Sequence, residues 1–104
     1  MANNRSRTEI IGQIMETVND YDVRGRGITQ TKLMYEVMLS SAQSKEYLAL
    51  LTSHRLLIHD LANRRYSITE KGLQYLGVYD KLGHIMSEEE EEVKEVDYAE
   101  LPRM

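Results

Sequence analysis

The chain contains no cysteine, no tryptophan and no phenylalanine. Without cysteine it forms no disulfide and offers no thiolate to a metal, which suits a reducing compartment. No stretch approaches the roughly eighteen apolar residues that a membrane span requires. The N-terminus, MANNRSRTEI, is charged and lacks the apolar segment of a secretory leader. A cytoplasmic location is therefore the expectation. With Phe and Trp missing, seven Tyr and six Met must share the bulky packing with Leu and Ile. At 104 residues and 41% hydrophobic content, one small domain with appendages is expected.

The net charge of −4 hides a division. From Ser87 onward, eight acidic residues (Glu88 to Glu92, Glu95, Asp97, Glu100) face only Lys94 and Arg103, a balance of −6. The preceding 86 residues carry 11 basic and 9 acidic groups, a balance of +2. A mildly basic domain thus precedes an acidic tail. The tail reads as a solvated extension that could compete with DNA phosphates for basic surface or recruit a protein partner.

Hydrophobic spacing and capping residues divide the rest. Residues 1–4 read as disordered, and Ser6 or Thr8 can cap a first helix whose buried face is Ile10, Ile11, Ile14, Met15 and Val18. That helix is expected to fail at Asn19-Asp20, with a loop from Tyr21 to Gly27 and a short strand at Ile28. Thr29 or Thr31 caps a second helix buried through Leu33, Met34, Val37 and Met38. Ser40 and Ser41 supply a turn and the cap of a third helix, in which Tyr47, Leu48 and Leu51 face inward. Arg55 to Ile58 and Arg65 to Thr69 read as the strands of a hairpin, with Asn63 suited to positive φ in the reversal. Thr69 then caps a last helix, weakened by Gly77 and Gly83 by about 1 kcal/mol each and expected to end between Gly83 and Ser87.

The fold class that follows is α+β, mostly α: a winged helix-turn-helix with three helices, a two-stranded wing and a C-terminal helix. Its segments are 1–4 as the N-terminus, 5–69 as the domain, 70–86 as a dimerisation helix and 87–104 as the acidic tail. Two short helices joined tightly are the unit that delivers a helix into a DNA groove, and a basic hairpin after them reads as a wing.

Four segments carry a resemblance: TKLMYEV in the second helix, LSSAQSKEYLALL across the turn and third helix, RLLI entering the wing, and YSITEKGLQYL leaving it. Over about residues 5–83 the chain resembles the archaeal single winged helix-turn-helix proteins. These include small DNA-binding and chromatin-associated proteins that dimerise through a C-terminal helix. The resemblance implies duplex DNA as partner and a homodimer. Two departures stand out. The family usually has Gly just after the third helix, where His54 or Arg55 must serve here, and often Leu where this chain has Ser44.

The candidate DNA contacts are Gln43, Ser44 and Lys45 for base edges and Ser40 and Ser41 for phosphate. Arg64 and Arg65 are candidates at the wing tip, and Arg5 and Arg7 as a phosphate-binding arm. Each set also has a plain reading as solvated surface. Leu73, Leu76, Tyr79, Leu82 and Met86 form a candidate dimer seam, with packing on their own domain as the alternative. His54, His59 and His84 lack metal-ligand spacing. No nucleophile elbow or phosphate-binding glycine motif appears, RGRG being too short for one. No enzymatic activity, cofactor or metal is expected. The functional expectation is a DNA-binding transcriptional regulator. The alternative is a protein-interaction winged helix that acts through its surface and acidic tail.

Overall fold

The computed structural model describes residues 5–95, with side chains described through Ile85. The order is α1 (Arg7–Val23), α2 (Gln30–Val37), α3 (Ser41–Ser53), β1 (Leu57–Asp60), β2 (Arg65–Ile68) and α4 (Glu70–Glu95). This is the winged helix-turn-helix architecture expected from the spacing, mostly helical with one two-stranded antiparallel sheet. The expectations for residues 1–4 and 96–104 lie outside the described residues.

Each helix start has a chemical cause. Ser6 closes a capping box on α1: its hydroxyl accepts from Glu9 N at 3.0 Å, and the Glu9 carboxylate accepts from Ser6 N at 3.0 Å. The backbone and side-chain hydrogen bonds from Ser6 hold the Glu9 carboxyl below the usual carboxylate range. Thr29 caps α2 by accepting from Lys32 N. Ser40 caps α3 through a second capping box, this time with Gln43.

Ile10, Ile14, Met15 and Val18 from α1, Leu33 and Val37 from α2, and Tyr47, Leu48 and Leu51 from α3 meet in one core with Ile28, Leu39, Leu57 and Leu76. Burial of these side chains is the main stabilising term, at roughly 1.5–3 kcal/mol for each full-sized aliphatic group. The core fixes α3 against α2, and hence the surface that α3 presents.

Helix α1 runs to Val23 rather than failing at Asn19-Asp20. The cause is tertiary. The Asp22 carboxylate accepts from Ile68 N of β2 at 2.9 Å, and the Tyr21 hydroxyl donates to Glu36 of α2 at 3.2 Å. These long-range partners outweigh the weak helix propensity of Asn and Asp. Ile28 adds the expected short pairing, exchanging both backbone hydrogen bonds with Tyr66.

The Thr-x-Lys-Gly segment at 69–72 is a latch between α4 and the rest of the domain. The Thr69 hydroxyl accepts from Gly72 N at 2.9 Å and donates to the Arg55 carbonyl at 2.6 Å. Lys71 donates to the His54 carbonyl at 2.8 Å, placing a cation at the negative end of α3. At Gly72 a Cβ would overlap the Leu56 carbonyl, so only glycine lets α4 start this close to the wing. Further along, the Tyr79 ring lies over Gly12 of α1 and occupies the space a Cβ there would need.

Three positive-φ residues set the turns. Met38 ends α2 at φ 59, and Arg55 follows α3 at φ 61, a left-handed conformation that glycine adopts most readily. In the wing it is Arg64, at φ 55, and not Asn63 that takes the left-handed conformation. Asn63 is engaged instead by Asp60, to which its amide donates at 2.7 Å. Helix α4 does not end between Gly83 and Ser87 but continues to Glu95. Its glycines are diluted by good helix formers on both sides, and the Glu run is helical in backbone through that point.

Candidate nucleic-acid interface

Helix α3 carries two faces. Ser44, Tyr47, Leu48 and Leu51 are buried, while Ser41, Ala42, Gln43, Lys45, Glu46 and Ala49 are exposed. At about 100° per residue, Ala42, Lys45, Glu46 and Ala49 share the outward centre, and Ser41 and Gln43 lie on its flanks. Two alanines beside one lysine make a face that another surface can approach closely. Ala42, Glu46 and Ala49 were not among the sequence candidates. Their i, i+3, i+4, i+7 spacing opposite the apolar stripe is the signal that marks them.

Ser44 requires correction. It is fully buried, and its hydroxyl donates to the Ser41 carbonyl at 2.9 Å while accepting from the Gln30 amide at 3.3 Å. A residue with no exposed surface cannot touch a base edge. Ser44 instead fastens α3 to the start of α2, a polar contact in the place where the family often has Leu. Gln43 is exposed, but its amide oxygen accepts from Ser40 N at 3.0 Å, so the side chain is folded back onto the helix start. Lys45 is exposed on the outward face, and on α2 Lys32 pairs with Glu36 at 3.8 Å.

Arg5 is also corrected. Rather than forming a free arm, its guanidinium donates to Gln13 and to the carbonyls of Val37 at 2.8 Å and Met38 at 3.3 Å. It neutralises the carbonyl end of α2 and ties that end to α1. Arg7 lies over the Tyr47 ring, 5.5 Å from its centre, with its own side chain exposed.

The wing places Arg64 fully at the surface and Arg65 half-buried at the start of β2. Its stem is stiffened by His59 and Tyr66, directly paired across the strands and stacked at 4.1 Å with rings 3° from parallel. Burial raises the Tyr66 hydroxyl above its ordinary value. Between the wing and the start of α2 runs an open groove of about 570 Å³, lined by Thr29, Gln30, Thr31, His59, Leu61, Arg64 and Tyr66. The groove thus joins the start of the helix-turn-helix to the basic side of the wing.

On α4 the expected seam divides. Leu76 is 6% exposed and belongs to the protomer's own core, and Tyr79 packs over Gly12. Leu73 is exposed but lies about 180° around the helix from Leu82. The outward stripe is Val78, Leu82 and Ile85, at i, i+4 and i+7, and Val78 and Leu82 are 59% and 57% exposed. The Met86 side chain lies outside the described residues. The single stripe read from spacing therefore divides: Leu76 and Tyr79 pack on the domain, while Leu73 and Leu82 are exposed on opposite sides of the helix.

No group of His, Cys, Asp or Glu able to hold a metal occurs among the described residues. No described helix is long and apolar enough to cross a membrane.

Residues 4–87 match the family model described as winged helix-turn-helix. Among solved structures, the fold is similar to MepR, a transcription regulator of the Staphylococcus aureus multidrug efflux pump MepA. The TM-score is 0.67 at 18% identity, covering 88% of this chain and 67% of that one. A mutant S. aureus MepR bound to an oligodeoxyribonucleotide is similar at a TM-score of 0.61 and 18% identity, covering 88% and 67%. S. aureus MepR bound to ethidium bromide is similar at 0.59 and 15%, covering 93% and 69%. Likeness at these identities is one of fold, and the chain spans about two thirds of the MepR chains. No curated protein matches the sequence.

Proposed function

The chain belongs to the winged helix-turn-helix family, and we propose that it is a DNA-binding transcriptional regulator of the archaeal single-winged-helix kind, acting on duplex DNA as a homodimer. Helix α3 enters the major groove with Ala42, Lys45, Glu46 and Ala49 toward the bases. Ser40 and Ser41 at its start and Arg64 on the wing hold flanking phosphates. The observation that carries this reading is the outward face of α3, small and singly basic, held on α2 by a fully buried inner face. The domain's +2 balance favours an anionic partner, and Glu46 in the centre of the face makes that attraction modest.

The homodimer forms through the open stripe of α4. Val78, Leu82 and Ile85 are exposed on a helix of 26 residues, about 39 Å long, which outruns the body it packs on. A dimer places two α3 helices on successive turns of one duplex face. The alternative reading, a protein-interaction winged helix, draws on the same open stripe and on the −6 balance after Ser87.

Titrating a random-sequence duplex against salt separates the two. Phosphate neutralisation predicts that log K falls linearly with log salt, with a slope near −0.9 per phosphate contacted. Absence of binding at low salt favours the protein-interaction reading. Selection of bound sequences from a random pool then identifies the site.

A further inference from the structure

The wing tip displays an apolar side chain with no packing role. Leu61 is 78% exposed at the point where the hairpin reverses. A solitary surface leucine is common and carries no meaning by itself. Two features set this one apart.

First, its mount is stiff. The Asp60 carboxylate accepts from Ala62 N at 3.0 Å, from Asn63 N at 3.3 Å and from the Asn63 amide at 2.7 Å. Leu61 lies between the Asp60 acceptor and these donors, so the bonds restrain its backbone. They also occupy the one anionic group at the tip, and they hold its carboxyl below the usual aspartate range, the Asn63 side chain first. Below the tip, the stacked His59 and Tyr66 and the Ile28–Tyr66 pairing anchor the stem to the domain.

Second, the side chain has a direction. Leu61 lines the groove together with His59 and Arg64 of the wing and Thr29, Gln30 and Thr31 at the start of α2. Arg64, whose backbone is left-handed at φ 55, lines the same groove. An apolar probe therefore stands beside a guanidinium on the side of the wing that faces the helix-turn-helix.

We propose that Leu61 is a wedge: in the DNA complex it enters the minor groove beside Arg64 and inserts partway between two base pairs, kinking the duplex at the wing. The inference rests on the DNA-binding reading above and adds a deformation to it. Arg64 and Arg65 draw the tip to the phosphate-lined groove, and the stiff tip lets the leucine unstack a base step without itself collapsing. Pyrimidine–purine steps such as TA and CA unstack most readily, so the wing prefers them without making a base-specific hydrogen bond. Inserted apolar side chains of this kind bend DNA by about 20–90°.

The test is the bend angle of a duplex labelled at both ends for energy transfer, with a TA step and then a GC step under the wing. Wild-type protein is expected to bend the TA duplex by at least about 20° and to bind it more tightly than the GC duplex. Leu61→Ala, which touches no core residue and is checked for native helix content, is expected to bind with little bend and with that preference reduced toward one. Leu61→Met is expected to keep both. Arg64→Ala is expected to weaken binding to the two duplexes equally. Wild-type binding without a bend, or an equal bend from Leu61→Ala, overturns the wedge and leaves DNA binding standing. A wild-type protein that binds no duplex overturns both.

Discussion

Replacing Arg5 with Ala separates two roles that a basic residue at a domain edge can have. The guanidinium donates to the Val37 and Met38 carbonyls and to Gln13, across 32 positions of sequence in the first of these. Hydrogen bonds from a charged donor contribute about 1.5–3 kcal/mol when buried. Here the Val37 contact is half-buried and the Met38 contact exposed, and water can reach the freed carbonyls, so a loss of about 1–2 kcal/mol is expected for Arg5→Ala. For a domain of this size that lowers Tm by roughly 5–15 °C. The assay is thermal unfolding by circular dichroism, with duplex affinity measured well below the transition. Arg5→Lys should recover only part of the loss, since a single ammonium cannot reproduce the planar fork. A variant with unchanged Tm and weakened DNA binding would refute the clamp and restore the phosphate-arm role.

Three further outcomes follow from the same geometry. Val78→Glu with Leu82→Glu should leave the fold intact, because both side chains are exposed, and convert the protein to monomers by sedimentation; a wild type that is already monomeric removes the dimer. Lys45→Ala should cost roughly 1–3 kcal/mol at a selected site, while Arg64→Ala should lower affinity for all sequences and reduce the salt slope by about one. The Asp60 carboxyl is held below its ordinary range in the folded tip, so its stabilising effect is full above that range and lost as pH falls through the lowered value. Protection from amide exchange at Ala62 and Asn63, corrected for the intrinsic rate, should therefore fall selectively only below the ordinary aspartate range, and protection that follows the rest of the domain would contradict the lock.

The helices and the wing could be read from local signals. Serine and threonine caps marked the starts of the helices, and Ile28 and Thr69 took the positions their neighbours implied. What escaped was tertiary. Nothing local to Asp22 reveals that its carboxylate will accept from Ile68, 46 residues away, and so carry α1 onward. Periodicity placed Leu76 and Leu82 in one stripe, yet the partner that divides them is the missing side chain at Gly12, which admits Tyr79. Ser44 was misread because a small polar residue in a helix looks solvated until Gln30 appears opposite its hydroxyl. Arg5 was misread in the same way, as an exposed cation whose acceptors are backbone carbonyls and carry no sequence signature.

The absence of cysteine makes a direct test of the α3 reading possible. A single thiol introduced by Ala49→Cys, on the outward face of α3, can carry an iron chelate that cleaves DNA nearby. A second protein, Glu16→Cys, places the same reagent beside Asp80 where α1 meets α4. On a duplex selected for binding, the label at position 49 is expected to cleave within each half-site, and the label at position 16 to leave those bases intact. Equal cleavage from both positions, or none from position 49 on a bound duplex, would contradict the placement of α3 in the groove.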